Sequence, residues 1–338
     1  MGRKQVLGFI FVLFCAEMRA QDPVFSQYFA APLQINPAFA GVADAPRISI
    51  NYRNQWPSWP NAYRTYGVGF EQQLPQSAGG IGLQALADDA GNGIYRTMAF
   101  HGMYSYHLKI NKTYFLKFGI EAGMLQSRVA WDQLVFGDQL DPITGSSPDG
   151  PMSEELRPAS LQTSAVDIGT GLLLHTSKAY LGIAVRHLNR PEENFIAANE
   201  GLRLGRPMRL ALHSGVQIGF AEGNNLKYPA FISPNLLIVR QADFLQINAG
   251  AFLSYQVLFA GAWYRHTGSN PDAAIALIGV REGIFRFGYS YDMTLSALGP
   301  QRTGGAHEIS MMFNFADGQM RQNKRKSARY NDCFQMFR

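Results

Sequence analysis

The feature that most constrains this chain is a two-residue alternation repeated along most of its length. Between Thr113 and Gln126 the even positions Tyr114, Leu116, Phe118, Ile120, Ala122 and Met124 are apolar or aromatic, whereas the odd positions include Thr113, Lys117, Gly119 and Glu121. Between Ile284 and Leu295, Phe285, Phe287, Tyr289, Tyr291, Met293 and Leu295 share one face, and Arg286, Gly288, Ser290, Asp292 and Thr294 share the other. A period of two belongs to extended strands whose two faces meet different surroundings. A helix, returning to one face every 3.6 residues, cannot sort residues in this way.

Read by this rule, the chain holds fourteen strands, near 46–53, 63–73, 80–88, 94–108, 113–127, 164–174, 178–188, 207–220, 226–240, 243–254, 256–266, 272–281, 284–295 and 307–316. The 34 glycines, 23 phenylalanines and 15 tyrosines agree with short strands and disfavour a helical bundle. The fold class is all-β. An even strand count and alternation between two solvents fit a transmembrane antiparallel β-barrel of the outer-membrane type, with one face toward lipid and the other toward the lumen. The connections support it: those after odd strands include 56–61, 89–93, 128–163, 189–206 and 296–306, while those after even strands are mostly tight. A soluble β-sandwich, the competing fold, has no reason to sort its loops by parity.

The ends of the chain read differently from its body. Residues 1–20 carry Arg3 and Lys4, a short apolar run from Val6 to Ala16 and a small residue at Ala20, the pattern of a cleaved secretory signal. The run is too short for a spanning helix. Removing this segment lowers the net charge from +5 to +3, and the residues from Asp317 onward hold more than that excess. The expected organisation is therefore a signal peptide over 1–20, a periplasmic segment over 21–45 packed on or in the barrel, the barrel over 46–316, and a basic periplasmic tail over 317–338. Both termini are expected on the periplasmic side. Cys333, the one cysteine left after cleavage, reads as an idle thiol in a flexible tail.

Several segments also carry a resemblance. QDPVFSQYFAAPLQINPAFAG at Gln21 to Gly41, YRNQWPS at Tyr52 to Ser58, DQLVFGDQ at Asp132 to Gln139, SPNLL at Ser233 to Leu237, GAWYR at Gly261 to Arg265, GYSYDMTLSAL at Gly288 to Leu298 and HEIS at His307 to Ser310 occur in the order seen in the PorP/SprF family. The chain resembles members of that family along nearly the whole mature sequence. The resemblance implies an outer-membrane barrel of the type IX secretion system of Bacteroidetes, assisting export or surface attachment of secreted proteins, including gliding adhesins. One departure is Ala31-Pro32, standing where family openings often repeat an Asn-Pro pair.

Candidate partner-binding residues fall in loops and in the tail. Trp56 and Trp59 stand in a proline-stiffened turn, and a rigid aromatic surface serves either the membrane interface or a protein contact. Trp131 and Phe136 open the long 128–163 loop, whose length exceeds what strand connection needs. Lys324, Arg325 and Lys326 form a cationic cluster suited to an acidic periplasmic partner; nucleic acid is a poor partner for an exported chain. Lys117, Glu121, Arg186, Arg286 and Asp292 lie on lumen-facing positions, where charge is tolerated.

Signals for catalysis are thin. The seven histidines are scattered, and no metalloprotease helix motif, paired cysteines, phosphate loop or nucleophile elbow is present. Asp88, Asp89 and Asn92 fit a hairpin loop better than a calcium loop. No catalytic residue, metal or cofactor is expected. The leading function is a non-enzymatic secretion component that binds secreted cargo or a surface adhesin, periplasmic and outer-membrane machinery, and outer-membrane lipid. A passive porin is the alternative, and an outer-membrane hydrolase a remote third.

Overall fold

The computed structural model describes residues 21–43, 45–60, 62–74, 78–141, 145–146, 153–155, 157–158, 160–193, 195, 205–221, 228–268, 270–315 and 333–337. Fourteen long strands build it: β1 (Arg47–Gln55), β2 (Tyr63–Gln73), β3 (Gly79–Ala90), β4 (Tyr95–Lys109), β5 (Phe115–Val129), β6 (Gln162–His175) and β7 (Ala179–Arg186) form the first half. The second half is β8, in two pieces (Arg209–Val216 and Ile218–Ala221), then β9 (Ala230–Gln241), β10 (Phe244–Tyr255), β11 (Leu258–Thr267), β12 (Asn270–Glu282), β13 (Phe285–Thr294) and β14 (Ala306–Asn314). Each strand pairs antiparallel with its neighbours in sequence. The sheet closes because β1 also pairs with β14, from Arg47↔Asn314 to Gln55↔Ala306. β7, β8 and β9 run on without a gap, Arg209 facing Arg186 on one side and Gln241 on the other. The chain is a closed antiparallel β-barrel, and closure leaves no unpaired edge.

The alternation produces an inside-out distribution. On β5, Phe118, Ile120 and Met124 are about half exposed on the outer wall, while Lys117, Glu121 and Ser127 are buried. A soluble barrel would do the reverse. An apolar outer wall and a polar interior are what hydrocarbon outside and hydrogen-bonding groups inside require.

Loop lengths follow parity in part. The connections after β1, β5, β7 and β13 are long, but those after β3, β9 and β11 span only 91–94, 242–243 and 268–269. Positive φ at Ala242 (52°) and Gly268 (54°) lets the chain reverse tightly there. One end of the barrel is therefore bounded mainly by long loops and the other by short turns, apart from 222–229 after β8.

The lumen is filled. Residues Phe25 to Val42 run through it as a chain of short helical turns, Tyr28–Ala30, Pro32–Ile35 and Pro37–Phe39, and almost every side chain is buried. Pro32 and Pro37 open the second and third turns, where a missing N–H costs nothing. The segment enters beside the long loops, where Asp22 meets Arg206 and His187, and leaves beside the short turns, where Gly41 lies against Gly80. From there the chain turns into β1.

The described N-terminal residues begin at the long-loop end, where Asp22 meets His187, whereas residues 333–337 sit at the short-turn end beside His175 and Tyr180. The segment's antiparallel path to β1 places its start one barrel length away from its exit. One expectation is corrected here. Cys333 is no idle thiol in a flexible tail: it is buried with Phe334, Met336 and Phe337 in the apolar cluster around Phe39 and Tyr180. Burial of these apolar side chains returns the chain to the lumen after β14.

Candidate functional site

An irregular segment inside a barrel has backbone groups that no ladder satisfies, and each must find a partner or cost stability. The wall supplies them. Near the long-loop end, Glu308 of β14 accepts from the backbone amides of Ser26 (2.8 Å) and Gln27 (2.7 Å). Asp292 of β13 accepts from Ser26 Oγ at 2.6 Å and pairs with Arg53 of β1 and Arg265 of β11, both at 2.9 Å. Both arginines also donate to Ser26 Oγ at 2.6 Å. The Gln27 amide is matched at both ends, donating to the Glu308 carbonyl at 3.0 Å and accepting from Ser310 Oγ at 2.6 Å. Four strands thus converge on two residues of the segment.

Farther around the same end, Asp22 is held by cations. Arg206 Nη1 donates to Asp22 Oδ1 at 2.7 Å, and His187 Nε2 lies 2.6 Å from Asp22 Oδ2. The other imidazole nitrogen of His187 lies 2.9 Å from Asp167 Oδ1, and His101 Nε2 lies 2.8 Å from Asp167 Oδ2. His187 stands just beyond the end of β7. Burial opposes its charge, but Asp22 and Asp167 outweigh burial and push its pKa up to about 9. For Asp22 burial works the other way, and His187 and Arg206 hold its carboxyl well below the usual carboxylate range.

The lower half of the segment is held through its carbonyls. Arg186 donates to Leu33 O at 2.7 Å while pairing with Glu121 at 2.8 Å. Arg209 donates to Gln34 O at 3.1 Å, and both Lys117 Nζ and Ser105 Oγ donate to Ala40 O, at 2.9 and 2.6 Å. Asn36 donates to the Leu172 carbonyl at 3.0 Å and accepts from Ala38 N at 2.8 Å, capping the last helical turn. Space comes from glycine: a Cβ on Gly119 would stand 2.2 Å from Ala38 N, and one on Gly171 would stand 2.0 Å from Asn36 Oδ1. Between these polar layers the interior is taken up by rings, with Phe29 5.9 Å from Trp263 and 5.3 Å from Phe252.

The five charged positions singled out on the inner faces all meet the filling of the lumen or its braces. Lys117 and Arg186 bind the N-terminal segment, Glu121 braces Arg186, Asp292 braces Arg53 and Arg265, and Arg286 donates to the Met336 carbonyl at 2.7 Å. Arg286 also lies over the Phe259 ring at 4.4 Å. Trp56 and Trp59 meet at a tilt of 47° with ring centres 5.1 Å apart on the loop after β1, which hydrogen-bonds to the 295–305 connection through Trp56 N and Gly305 O. Trp131 and Phe136, on the loop after β5, approach to 4.8 Å. The two aromatic pairs stand on separate loops. Lys324, Arg325 and Lys326 lie outside the described residues.

Asp22, Ser26, Arg53, Arg265 and Glu308 were not singled out from sequence. The signal for them was present: Arg53 lies in YRNQWPS, Arg265 in GAWYR, Asp292 in GYSYDMTLSAL and Glu308 in HEIS, and all four side chains meet the QDPVFSQYFA opening. SPNLL contributes Asn235, whose Oδ1 accepts from Trp263 Nε1 at 2.6 Å and from the Tyr28 hydroxyl.

The family model for the type IX secretion system membrane protein PorP/SprF matches residues 17–313. The chain belongs to the PorP/SprF family. No curated protein matches the sequence. Among solved structures it is similar to the toluene transporter TbuX of Ralstonia pickettii, at 12% identity over 85% of this chain and 94% of that one, with a TM-score of 0.49. It is also similar to a FadL homologue of Pseudomonas aeruginosa (13% identity, 82% and 94% covered, TM-score 0.39) and to the outer-membrane protein Omp33 of Acinetobacter baumannii (7%, 81% and 100%, 0.41). As a PorP/SprF protein with a closed, apolar-walled barrel, the chain is an outer-membrane component with a role in type IX secretion. The segments quoted above as PorP/SprF motifs are in large part those that tether the lumen filling.

Proposed function

We propose that this protein is a non-enzymatic scaffold of type IX secretion that assists export or surface attachment of secreted proteins or adhesins. On this reading the long-loop rim holds cargo outside the cell, and the short-turn end faces periplasmic machinery. The observation that carries it is the occupied lumen: side chains and backbone of residues 25–42 take the space a solute would need. A barrel so filled presents surfaces rather than a channel, which also counts against the passive porin. The paired Trp56 and Trp59, with Trp59 40% exposed, give the rim an aromatic anchor of the kind that dominates protein contacts. Lys324, Arg325 and Lys326 offer an acidic periplasmic component an electrostatic contact that salt should weaken. Cleavage after Ala20 would place Gln21 first in the mature chain.

The test is deletion of the gene followed by quantification of type IX substrates in periplasm, cell surface and medium. Loss of selected substrates from the surface, or their accumulation inside, supports the reading, and their identity names the cargo. If every fraction is unchanged and the purified protein conducts, the porin takes its place.

A further inference from the structure

Residues 333–337 lie at the short-turn end of the lumen in a pocket whose walls come from elsewhere in the chain. Phe39 of the N-terminal segment meets Phe337 at 4.7 Å and Phe334 at 6.0 Å between ring centres. His175 at the end of β6 meets Phe334 at 4.8 Å, and Tyr180 at the start of β7 lies 5.7 Å from Phe334 and 5.4 Å from Phe337. Arg286 donates to the Met336 carbonyl at 2.7 Å, and Asn235 Nδ2 lies 3.5 Å from Met336 Sδ. Cys333, Phe334, Met336 and Phe337 are all at most 1% exposed. The pentapeptide makes its own turn, Phe337 N donating to Phe334 O at 2.9 Å, and among the described residues no strand ladder joins it to the wall.

This is the anatomy of a bound peptide rather than of a strand or a hairpin. Two aromatic rings and a thioether fill an aromatic pocket, and a guanidinium fixes one main-chain carbonyl without reading a side chain. Its departure would break no ladder of the barrel. We propose that the short-turn mouth is a receptor for an aromatic peptide of the form Phe-x-Met-Phe, and that the chain's own C-terminal residues are its resident, displaceable ligand. A ligand carried on the same chain rebinds intramolecularly, so a partner's peptide must be abundant or bind more tightly to replace it. The inference does not depend on which cargo the protein serves.

The test uses the full-length protein in detergent and the thiol of Cys333. Native Cys333 should be alkylated by a bulky maleimide at least about tenfold more slowly than in the unfolded chain, because a buried thiol is inert. Saturating synthetic Ser-Phe-Gln-Met-Phe-Arg should raise the native rate about tenfold, and the same peptide with Asp at both Phe positions should not. A rate that the peptide leaves unchanged makes the pentapeptide fixed core and overturns the proposal, as does a native rate equal to the unfolded one. A second readout removes dependence on the thiol: a full-length Phe334→Asp, Phe337→Asp variant, with heat-modifiable migration showing an intact barrel, should bind the fluorescent peptide at least about tenfold more tightly than wild type. Equal binding by both proteins, or binding by neither, contradicts a self-occupied receptor.

Discussion

At the scale of single residues, the decisive groups are buried charges that look unaffordable until their partners are named. Asp292 neutralises two arginines, Arg53 and Arg265, from two other strands. Removing one member of a buried ion cluster leaves a charge that burial has already separated from water, at a cost of about 3–5 kcal/mol. Asp292→Asn is expected to lower the temperature at which the folded, heat-modifiable band is lost. Adding Arg265→Met should restore part of the loss, since it removes the surplus cation. His187 gives a pH dependence with a defined sign. Its folded pKa of about 9 lies above the unfolded value of about 6.5, so its stabilisation is complete below 6.5 and disappears as pH rises through about 9. The fall in unfolding midpoint between pH 7 and pH 10 should therefore shrink in His187→Asn. The linked free energy is of the order of 3 kcal/mol.

At the scale of elements, the N-terminal segment and the barrel wall are fitted to each other by subtraction as well as by contact. Gly119 and Gly171 leave hollows into which Ala38 and Asn36 press. Gly119→Val should expel this part of the segment, because its side chain would have to share space with main-chain atoms, whereas the strand ladder around it keeps its hydrogen bonds. In planar bilayers that variant is expected to conduct at least about tenfold more than wild type, since a barrel of fourteen strands has room for a pore once its filling moves. Unchanged conductance with a correctly folded barrel would contradict the filling as the seal. On the long-loop rim, Trp56→Ala with Trp59→Ala removes the aromatic pair without touching a strand. If the pair anchors cargo, retention of surface substrate should fall about thirtyfold in affinity terms, the loss of a hot spot of about 2 kcal/mol.

At the scale of the whole molecule, closure joins the first and last strands, and the register can be checked directly. Ile50 and Met311 face each other across the seam, with Ile309 two residues out of register. Opposed positions of an antiparallel pair are close enough for a disulfide, while diagonal ones are not. Ile50→Cys with Met311→Cys should cross-link on oxidation, and Ile50→Cys with Ile309→Cys should not. The sequence alone determined the strands, because alternation is a local record of two solvents: all fourteen lie where the period of two put them, save for a break in β8 at Gln217 and ends shifted by a few residues. It also marked Lys117, Glu121, Arg186, Arg286 and Asp292 by their parity. What those charges are for was decided only by the tertiary structure. Ser26 and Glu308, or Arg286 and Met336, are remote in sequence, and nothing periodic connects an irregular segment to the wall that binds it. The same holds for the C-terminal residues, whose composition suggests a solvated tail until closure of the barrel creates an aromatic pocket for Phe334 and Phe337. Local pattern fixes which face of a strand is wet; only folding brings together the groups that take the water's place.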